Sequence, residues 1–258
     1  YKIPHFSLNL QENRIIMKNR HFLLILIGLL CLPMLSMAKI RITDMRVNGL
    51  DRPIGTDPDG KTVFSWILVS DKTETFQEAY QVVVSSQGKK LWDSGKVKSD
   101  NSIAVAYEGT LTPDTEYTWT LQVWDNHGSA SKKATSKWQT GIRTNDWKAQ
   151  WITASETPVP TYFRKAEILS GNIRKATAYI TSHGIYEAFI NGKRVGNYEL
   201  TPGWTTYLKR LQYQAYDVTS LLQKGKNMIA ATVSPGWYSG GMNTGDPKHR
   251  YKYGKDVS

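Results

Sequence analysis

From residue 39 onward the chain consists mainly of short runs in which apolar and polar residues alternate. In residues 77–85, for example, Tyr80, Val82 and Val84 occupy alternate positions, and Asp, Asn, Gly and Pro separate one run from the next. A period of two is typical of half-buried strands, so the pattern predicts an all-β protein. The other predicted strands lie at residues 40–42, 63–69, 91–93, 102–107, 117–123, 134–138, 162–168, around 179, 185–190 and 228–233.

The most diagnostic segment of the first half is LTPDTEYTW at residues 111–119. Tyr117 follows a Leu-x-Pro turn at the start of a strand, which is the arrangement of a tyrosine corner in immunoglobulin-like and fibronectin type III sandwiches. We expect its hydroxyl group to bond back to the turn. With seven short strands predicted around it, residues 39–144 are expected to form a fibronectin type III-like sandwich.

A linker is predicted at residues 145–160. Trp147 and Trp151 lie in its turn-like first part, and two indoles are rarely left in solvent without a reason, so we expect them to pack between domains. The Thr-Pro-Val-Pro sequence at residues 157–160 predicts a stiff, extended spacer.

The second domain, residues 161–258, is predicted to be a jelly-roll-like β-sandwich. Asn191 and Gly192 supply the two left-handed positions of a type I′ hairpin turn. About four strands are predicted, fewer than a closed sandwich usually contains. The sandwich is therefore expected to be incomplete within this chain.

The segments NGKRVG, LTPGWTTYLKRLQYQAYDVTSLL, GKN and GWYSGG, in this order within residues 191–241, resemble the N-terminal β-sandwich domain of bacterial alpha-L-rhamnosidases of glycoside hydrolase family 78. The segments IRITDMRVNG, FSWILVS, LWDSGKV and LTPDTEYTWTLQVWD resemble the leading domain of the same family. The resemblance implies a parent enzyme that hydrolyses terminal alpha-L-rhamnose with inversion, and a catalytic (α/α)6 barrel further along the polypeptide.

The same resemblance implies that this chain is a non-catalytic N-terminal portion that supports or binds carbohydrate and is inactive alone. Its expected partners are a rhamnose-containing glycan or glycoside and the downstream catalytic domain. An alternative hypothesis is an independent carbohydrate-binding or adhesion protein of the cell surface. A stop codon directly after Ser258 would favour that alternative.

Residues 1–38 are expected to be upstream sequence and a signal peptide. Met17 is the expected start, and two basic residues precede an apolar run at 22–35, which ends before the small residues Ser36 and Ala38. The run is shorter than the roughly 20 residues of a membrane span. Cys31 has Leu30 before it, where a lipoprotein signal needs a small residue, so lipid anchoring is a minor alternative. We expect a secreted, periplasmic or cell-surface protein.

The charge balance does not indicate nucleic-acid binding. The 258 residues contain 33 basic and 22 acidic side chains and one cysteine, and residues 1–38 account for four of the basic residues, one acidic residue and that cysteine. The remainder therefore carries a net charge of +8 and has no thiol for disulfides or metal ligation. Its Lys and Arg residues are dispersed and form no basic stripe.

No catalytic residue is assigned. A glycosidase needs two carboxyl groups placed across the scissile bond, and no sequence feature selects such a pair. His127, His183 and His249 are far apart and lack zinc-site spacing, so they are interpreted as turn or surface histidines. Residues 57–60, Asp-Pro-Asp-Gly, begin like a calcium loop but lack its later Glu, and a plain turn is expected.

Carbohydrate binding is the function for which the sequence offers candidate residues. Pyranose rings stack on exposed aromatic side chains, while polar groups satisfy their hydroxyls. The candidates are Trp204, Tyr207, Trp237, Tyr238, Asn243 and Asp246, with Arg250 nearby. The alternative is that Trp204 and Trp237 are buried and fill the ends of the sandwich. No cofactor is expected, although calcium bound through Asn191, Asn243 or Asp246 stays open.

Overall fold

A computed structural model describes residues 40–154, 160–240, 253–254 and 258. These residues form two β-sandwich domains joined by a short linker, which confirms the predicted all-β fold class. The predicted leader, the Pro-containing part of the spacer and most of the last 18 residues lie outside the described residues. Within the described residues, none of the helices has the length and apolarity needed to cross a bilayer.

The first domain contains nine strands in two sheets. They are β1 (Arg41–Val47), β2 (Ile54–Thr56), β3 (Val63–Val69), β4 (Gln77–Ser86), β5 (Lys89–Asp93), β6 (Val97–Lys98), β7 (Val105–Ala106), β8 (Glu116–Asp125) and β9 (Ala134–Thr140). One sheet has the order β1-β3-β7, and the other has the order β2-β9-β8-β4-β5 with β6 also paired to β4. The seven predicted strands are all present. β2 and β6 were missed because they have only three and two residues, too few to show alternation.

The core of the first domain is built from stacked aromatic rings between the two sheets. Phe64 of β3 stacks on Trp119 of β8 with ring centroids 4.5 Å apart, and Tyr117 stacks on Trp138 at 4.9 Å. All four side chains are almost fully buried, and burial of each contributes on the order of 2 kcal/mol or more. The alternation in β8 thus places one face entirely in the core.

The predicted tyrosine corner is confirmed. The backbone N–H of Thr112 donates a hydrogen bond to the Tyr117 hydroxyl group over 2.7 Å. This bond holds the turn at residues 111–114 against the start of β8. The turn also contains Asp114, whose φ of +47° lies in the left-handed region. The corner therefore fixes the position of Asp114 at the end of the domain.

The second domain has six strands among the described residues, two more than the roughly four predicted. They are β10 (Thr161–Leu169), β11 (Thr177–Ile180), β12 (Ile185–Ile190), β13 (Lys193–Arg194), β14 (Gln214–Asp217) and β15 (Gly225–Ser234). One antiparallel sheet has the order β10-β15-β12-β13, and β11 pairs with β14 in the other. Single turns of 3₁₀ helix lie at Thr144–Asp146 and Thr219–Leu221, and one α-helical turn, α1, at Gly236–Ser239.

The predicted hairpin turn connects β12 and β13. Ile190 pairs with Lys193, so Asn191 and Gly192 form a two-residue loop. Their φ angles of +51° and +79° are both positive, as a type I′ turn requires. A long connection of residues 195–213 then separates β13 from β14. This connection contains two of the predicted sugar-contact residues, Trp204 and Tyr207.

Asn227 joins several turns of the second domain through one buried side chain. Its carboxamide oxygen accepts hydrogen bonds from the Gln223 N–H and from Asn191 Nδ2, both over 2.9 Å. Its Nδ2 donates to the carbonyl groups of Gln223 and Gly225 over 2.7 and 3.0 Å. The side chain is fully buried and every hydrogen-bonding group is satisfied. The Gly-x-Asn pattern is therefore a structural element of this domain.

Candidate functional site

The two domains meet where the tyrosine-corner turn of the first faces β11 of the second. The Tyr179 hydroxyl donates to Asp114 Oδ1 over 2.6 Å, and Gln139 Nε2 donates to the same oxygen over 2.9 Å. Gln139 Nε2 also contacts Thr177 Oγ1 at 3.1 Å. A salt bridge of 3.0 Å between Lys175 and Glu116 lies on the same side. Several polar side chains therefore connect the domains, in addition to the linker.

A second contact positions Tyr213 against the first domain. Its hydroxyl accepts a hydrogen bond from the Ile142 N–H over 3.0 Å and donates to the Ile142 carbonyl over 3.1 Å. Gly141 makes this approach possible, because a Cβ atom at that position would lie 2.0 Å from the Tyr213 hydroxyl oxygen. Tyr213 is therefore fixed at the junction of the domains.

Burial at this junction changes the acidity of the tyrosines. Burial, followed by the hydrogen bond to the Asp114 carboxylate and its charge, raises the pKa of Tyr179 well above its ordinary value. Burial also raises the pKa of Tyr213 and of Tyr207. The three hydroxyl groups therefore stay protonated at neutral pH and act as neutral donors or acceptors.

A cleft of about 680 Å³ opens beside this junction, between the linker and the long connection of the second domain. We call it the interdomain cleft. Its aromatic and cationic lining residues are Trp147, Trp151, Tyr179, Tyr207, Tyr213, Lys209 and Arg210. Trp147 stands edge-on to Tyr213 with ring centroids 5.5 Å apart, and Tyr179 stands edge-on to Tyr213 at 5.9 Å. A connected set of rings therefore forms one wall.

A second set of rings contacts two other lining residues of the cleft, Trp151 and Tyr207. The His183 imidazole lies between Trp151 and Tyr238, with both ring centroids 4.3 Å away and nearly parallel planes. Tyr207 meets Tyr238 edge-on at 5.3 Å. Trp151 keeps 54% of its surface exposed, so one indole face is supported while much of the rest is accessible. This is the geometry of a rigid platform for a ring-shaped ligand.

The two linker tryptophans both contact the second domain, as predicted. Trp147 packs against Tyr213, and Trp151 packs against His183. The assumption that packing would remove both indoles from solvent is wrong for Trp151, because only one of its faces is covered. The prediction for residues 157–160 falls largely outside the described residues.

The structure brings together two of the predicted sugar-contact residues, Tyr207 and Tyr238. Trp204 does not line the cleft and is 57% exposed on the long connection, so its predicted alternative as a buried core residue is wrong. Trp237 is half-buried in α1. Asn243 and Asp246 lie outside the described residues, as does Arg250.

The sequence did not indicate a site role for His183, which stacks on Trp151, or for several of the residues that line the cleft: Trp147, Trp151, Tyr179, Lys209, Arg210 and Tyr213. His183 was interpreted as an isolated histidine, because Trp151 and Tyr238 are 32 and 55 residues away in the chain. His127 is exposed in a turn, as predicted. No local pattern joins these segments, and only the way the strands return to one end of the domain brings them together.

Asn191 does not fit the predicted calcium site. Its side-chain oxygen accepts a hydrogen bond from the Met228 N–H over 2.9 Å, and its Nδ2 donates to the Leu221 carbonyl and to Asn227. The carboxamide therefore stabilises the hairpin. The other two predicted ligands, Asn243 and Asp246, lie outside the described residues, and within the described part no cluster of three His, Cys, Asp or Glu side chains is placed to hold a metal.

The predicted calcium-like sequence at residues 57–60 forms a turn. The Asp59 N–H donates to Asp57 Oδ1 over 2.9 Å, and Gly60 N–H donates to the Asp57 carbonyl. The Asp59 carboxylate binds the Arg143 guanidinium through both oxygens, at 2.7 and 2.8 Å. This hydrogen bond lowers the pKa of Asp59. The pair lies in a neighbouring groove of about 720 Å³.

Comparison with known proteins identifies both domains. Residues 42–144 match the family model described as "Rha78A-like, N-terminal immunoglobulin domain". Residues 171–258 match the model described as "Alpha-L-rhamnosidase N-terminal domain". The first range covers the first sandwich, and the second begins after β10 and includes β11 to β15.

Curated and solved proteins show the same similarity. An alpha-L-rhamnosidase of Formosa agariphila is 35% identical over 213 residues, which cover 74% of this chain and 23% of that protein. A solved alpha-L-rhamnosidase from Dictyoglumus thermophilum is 31% identical with a TM-score of 0.70, over 76% of this chain and 25% of that one. The enzyme from Aspergillus terreus has 27% identity and a TM-score of 0.73, over 84% and 26%.

The chain spans about a quarter of the length of the relatives it matches. Both matched models describe N-terminal domains, and they occur here in the order Ig-like domain, then alpha-L-rhamnosidase N-terminal domain. Over these residues the chain corresponds to the N-terminal region of alpha-L-rhamnosidases.

Proposed function

We propose that this chain is the non-catalytic N-terminal portion of a secreted alpha-L-rhamnosidase and that its second domain and linker contact carbohydrate. The observation that supports carbohydrate contact best is the interdomain cleft, where the partly exposed Trp151 and Tyr207 are held by stacking through His183 and Tyr238. The names of the matched relatives support the enzyme class of the parent protein.

The chemistry of the cleft suits a sugar ring better than an extended peptide. The apolar C–H faces of a pyranose pack on flat aromatic rings, and the ring hydroxyl groups need polar partners at the edges. The rim of the cleft offers the hydroxyl of Thr144, the carboxamide of Gln150 and the hydroxyl of Thr181 for that purpose. Because the platform rings support one another, little side-chain entropy would be lost on binding.

The first test concerns catalysis. We expect the purified 258-residue chain to release no nitrophenol from 4-nitrophenyl alpha-L-rhamnoside, and the complete product of its reading frame to release it. Sequencing the DNA beyond the codon for Ser258 shows whether a helical catalytic region follows. A stop codon at that point, together with saturable glycan binding, would favour the independent carbohydrate-binding protein instead.

The second test concerns the platform. We expect Trp151→Ala to abolish measurable binding of a rhamnose-containing oligosaccharide by isothermal titration calorimetry. Trp204→Ala is the matched control, because Trp204 is similarly exposed but does not line the cleft. Equal loss of binding in both variants, or loss only in Trp204→Ala, would contradict placement of the sugar in the cleft.

Secretion is part of the same proposal and rests on the leader pattern at residues 17–38. We expect the protein isolated from its native cells to begin at Lys39, with the leader removed. N-terminal sequencing of that protein tests this directly. A mature protein that retains Met17 would contradict export through a cleaved signal peptide.

A further inference from the structure

The interdomain cleft contains two cationic side chains that form no ion pair with any described residue, Lys209 and Arg210. Arg210 Nε donates to Thr205 Oγ1 over 3.3 Å, and its two terminal nitrogens have no hydrogen-bond partner in the described part of the chain. Lys209 has no side-chain partner there. Two adjacent positive charges therefore face the same space as the aromatic platform.

Neither Lys209 nor Arg210 forms a salt bridge with a carboxylate of the described residues. Ser258 also lines the cleft and carries the α-carboxylate of the 258-residue chain. Neither Asp nor Glu occurs among its described lining residues. Asp57 and Asp59 lie in the neighbouring groove, where Arg210 is also a lining residue. Asp59 is already paired with Arg143, and Asp57 forms no salt bridge with another described residue. With two cationic side chains and no acidic side chain, the described lining of the cleft carries a net positive charge even when the α-carboxylate of Ser258 is counted.

Some other arginines of the two domains are paired with carboxylates. Arg143 forms a bidentate pair with Asp59. Arg194 is paired with both Glu187 and Glu199, at 3.1 and 3.0 Å. Arg164 and Arg174, like Lys209 and Arg210, form no salt bridge with another described residue. What distinguishes the cleft is that its two unpaired cations lie beside a set of aromatic rings.

An anionic ligand would supply the missing partner. A guanidinium group binds carboxylate or sulfate oxygens through paired N–H donors, and a lysine ammonium adds a second charge-assisted bond. The rings beside them require a flat apolar face on the same molecule. A sugar ring that carries an acidic substituent combines the two properties.

We propose that the interdomain cleft binds an anionic saccharide, whose ring packs on Trp151 and Tyr207 and whose carboxylate or sulfate group pairs with Lys209 and Arg210. This inference rests on the proposed carbohydrate contact and adds the charge class of the ligand.

The test is isothermal titration calorimetry of the complete chain with three trisaccharides of matched size: trigalacturonate, a sulfated galactose trisaccharide and an uncharged rhamnose-containing trisaccharide. We expect at least one anionic trisaccharide to bind about tenfold more tightly than the uncharged one, since two charge-assisted bonds are worth that difference. Its affinity is expected to fall as the salt concentration rises.

Two double variants separate local from general charge effects. Replacing Lys209→Gln and Arg210→Gln together is expected to weaken anionic binding about tenfold more than it weakens uncharged binding. The control variant combines Lys132→Gln and Lys133→Gln, which removes the same charge from an exposed loop. This loop follows the C-terminal end of β8, whereas Glu116, at the N-terminal end of β8, faces the second domain. Far-ultraviolet circular dichroism confirms that both variants are folded.

The outcomes distinguish this inference from the proposed function. Binding of only one anionic trisaccharide supports the inference and identifies the acidic group. Uncharged binding as tight as anionic binding, or an equal effect of the two double variants, overturns the inference and leaves carbohydrate contact intact. Failure of all three trisaccharides to bind overturns both.

Discussion

The Tyr179 hydroxyl group donates a hydrogen bond to the Asp114 carboxylate over 2.6 Å, and the two residues belong to different domains. Asp114 lies in the turn that Tyr117 closes, and Tyr179 lies on β11 beside the interdomain cleft. The same turn therefore forms the tyrosine corner of the first domain and carries the carboxylate that accepts the hydrogen bond from the second domain. The position of one cleft wall depends on this bond.

Tyr179→Phe removes that bond and leaves the ring in place. Because the acceptor is a carboxylate, we expect the loss to destabilise the docked domains by about 1.5 to 3 kcal/mol. Urea unfolding of the complete chain, followed by circular dichroism, measures the change. Tyr162→Phe is the control, since Tyr162 is 81% exposed and should change stability by less than about 0.5 kcal/mol. Equal stabilities of the two variants would contradict the role of the bond.

Gly141→Ala tests the close approach of Tyr213 to the first domain. The added Cβ atom would lie 2.0 Å from the Tyr213 hydroxyl oxygen and 3.1 Å from the Gly55 carbonyl oxygen, so Tyr213 must leave Ile142. We expect a lower melting temperature and a greater exposure of Trp147 to a fluorescence quencher. Gly171→Ala is the matched control, because a Cβ atom there meets nothing within 4 Å. The same effect in both variants would show that the approach of Tyr213 is unimportant.

Asn227→Ala tests the buried amide of the second domain. The variant leaves several buried N–H and carbonyl groups without partners, so we expect a loss of about 3 kcal/mol in the free energy of unfolding. Urea unfolding of the variant gives that value. Asn145→Ala, at an exposed position without side-chain hydrogen bonds among the described residues, is expected to be close to neutral. A loss below about 1 kcal/mol for Asn227→Ala would be inconsistent with this account.

The salt bridge between Glu116 and Lys175 predicts a pH dependence of stability. Partial burial alone would raise the pKa of Glu116, but the ammonium groups of Lys175 and Lys137 outweigh it and hold that pKa below its ordinary value. A lowered folded-state pKa means that the stabilisation is complete above the ordinary carboxyl pKa. It is lost as the pH falls through the folded-state pKa, because the carboxylate is then protonated in both states.

We therefore expect Glu116→Gln to lower the melting temperature at pH 7 and to match the unchanged protein well below pH 4, where both lack the charge. Thermal unfolding across this pH range makes the comparison. Glu78→Gln is the control, because Glu78 is exposed and forms no salt bridge with another described residue. If the melting temperatures of Glu116→Gln and the unchanged protein still differ in acid, the ion pair is not the source of the difference.

Local features of the fold could be predicted because the residues that produce them are close in the chain. The hairpin needs only Asn191 and Gly192, whose backbone preferences suit two positive φ angles. The tyrosine corner needs only Thr112 and Tyr117, five residues apart. The longer strands of the first domain, such as β4 and β8, show the period of two directly. These features depend on local backbone geometry and on which face of a strand is buried. Residues close together in the chain are enough to specify both.

Pairings between distant segments could not be predicted in the same way. β2 contains a Gly and lies beside turn residues, and it is a strand only because it pairs in parallel with β9, more than 80 residues later. The sequence also could not predict which aromatic residues in loops would be buried. The exposed Trp204 and the half-buried Trp237 both lie in turn-rich segments. Which indole is covered depends on what another segment places over it.

The sequence by itself determined the all-β class, the two sandwiches, the hairpin, the tyrosine corner and the family, because alternation, turn chemistry and motif order are properties of short segments. The tertiary structure decided that Trp151, Tyr207, Lys209 and Arg210 share one cleft and that His183 supports it. Those residues come from the linker, a strand end and a long connection. Their proximity follows from the docking of the two domains, which rests on contacts such as that between Asp114 and Tyr179 rather than on any local pattern.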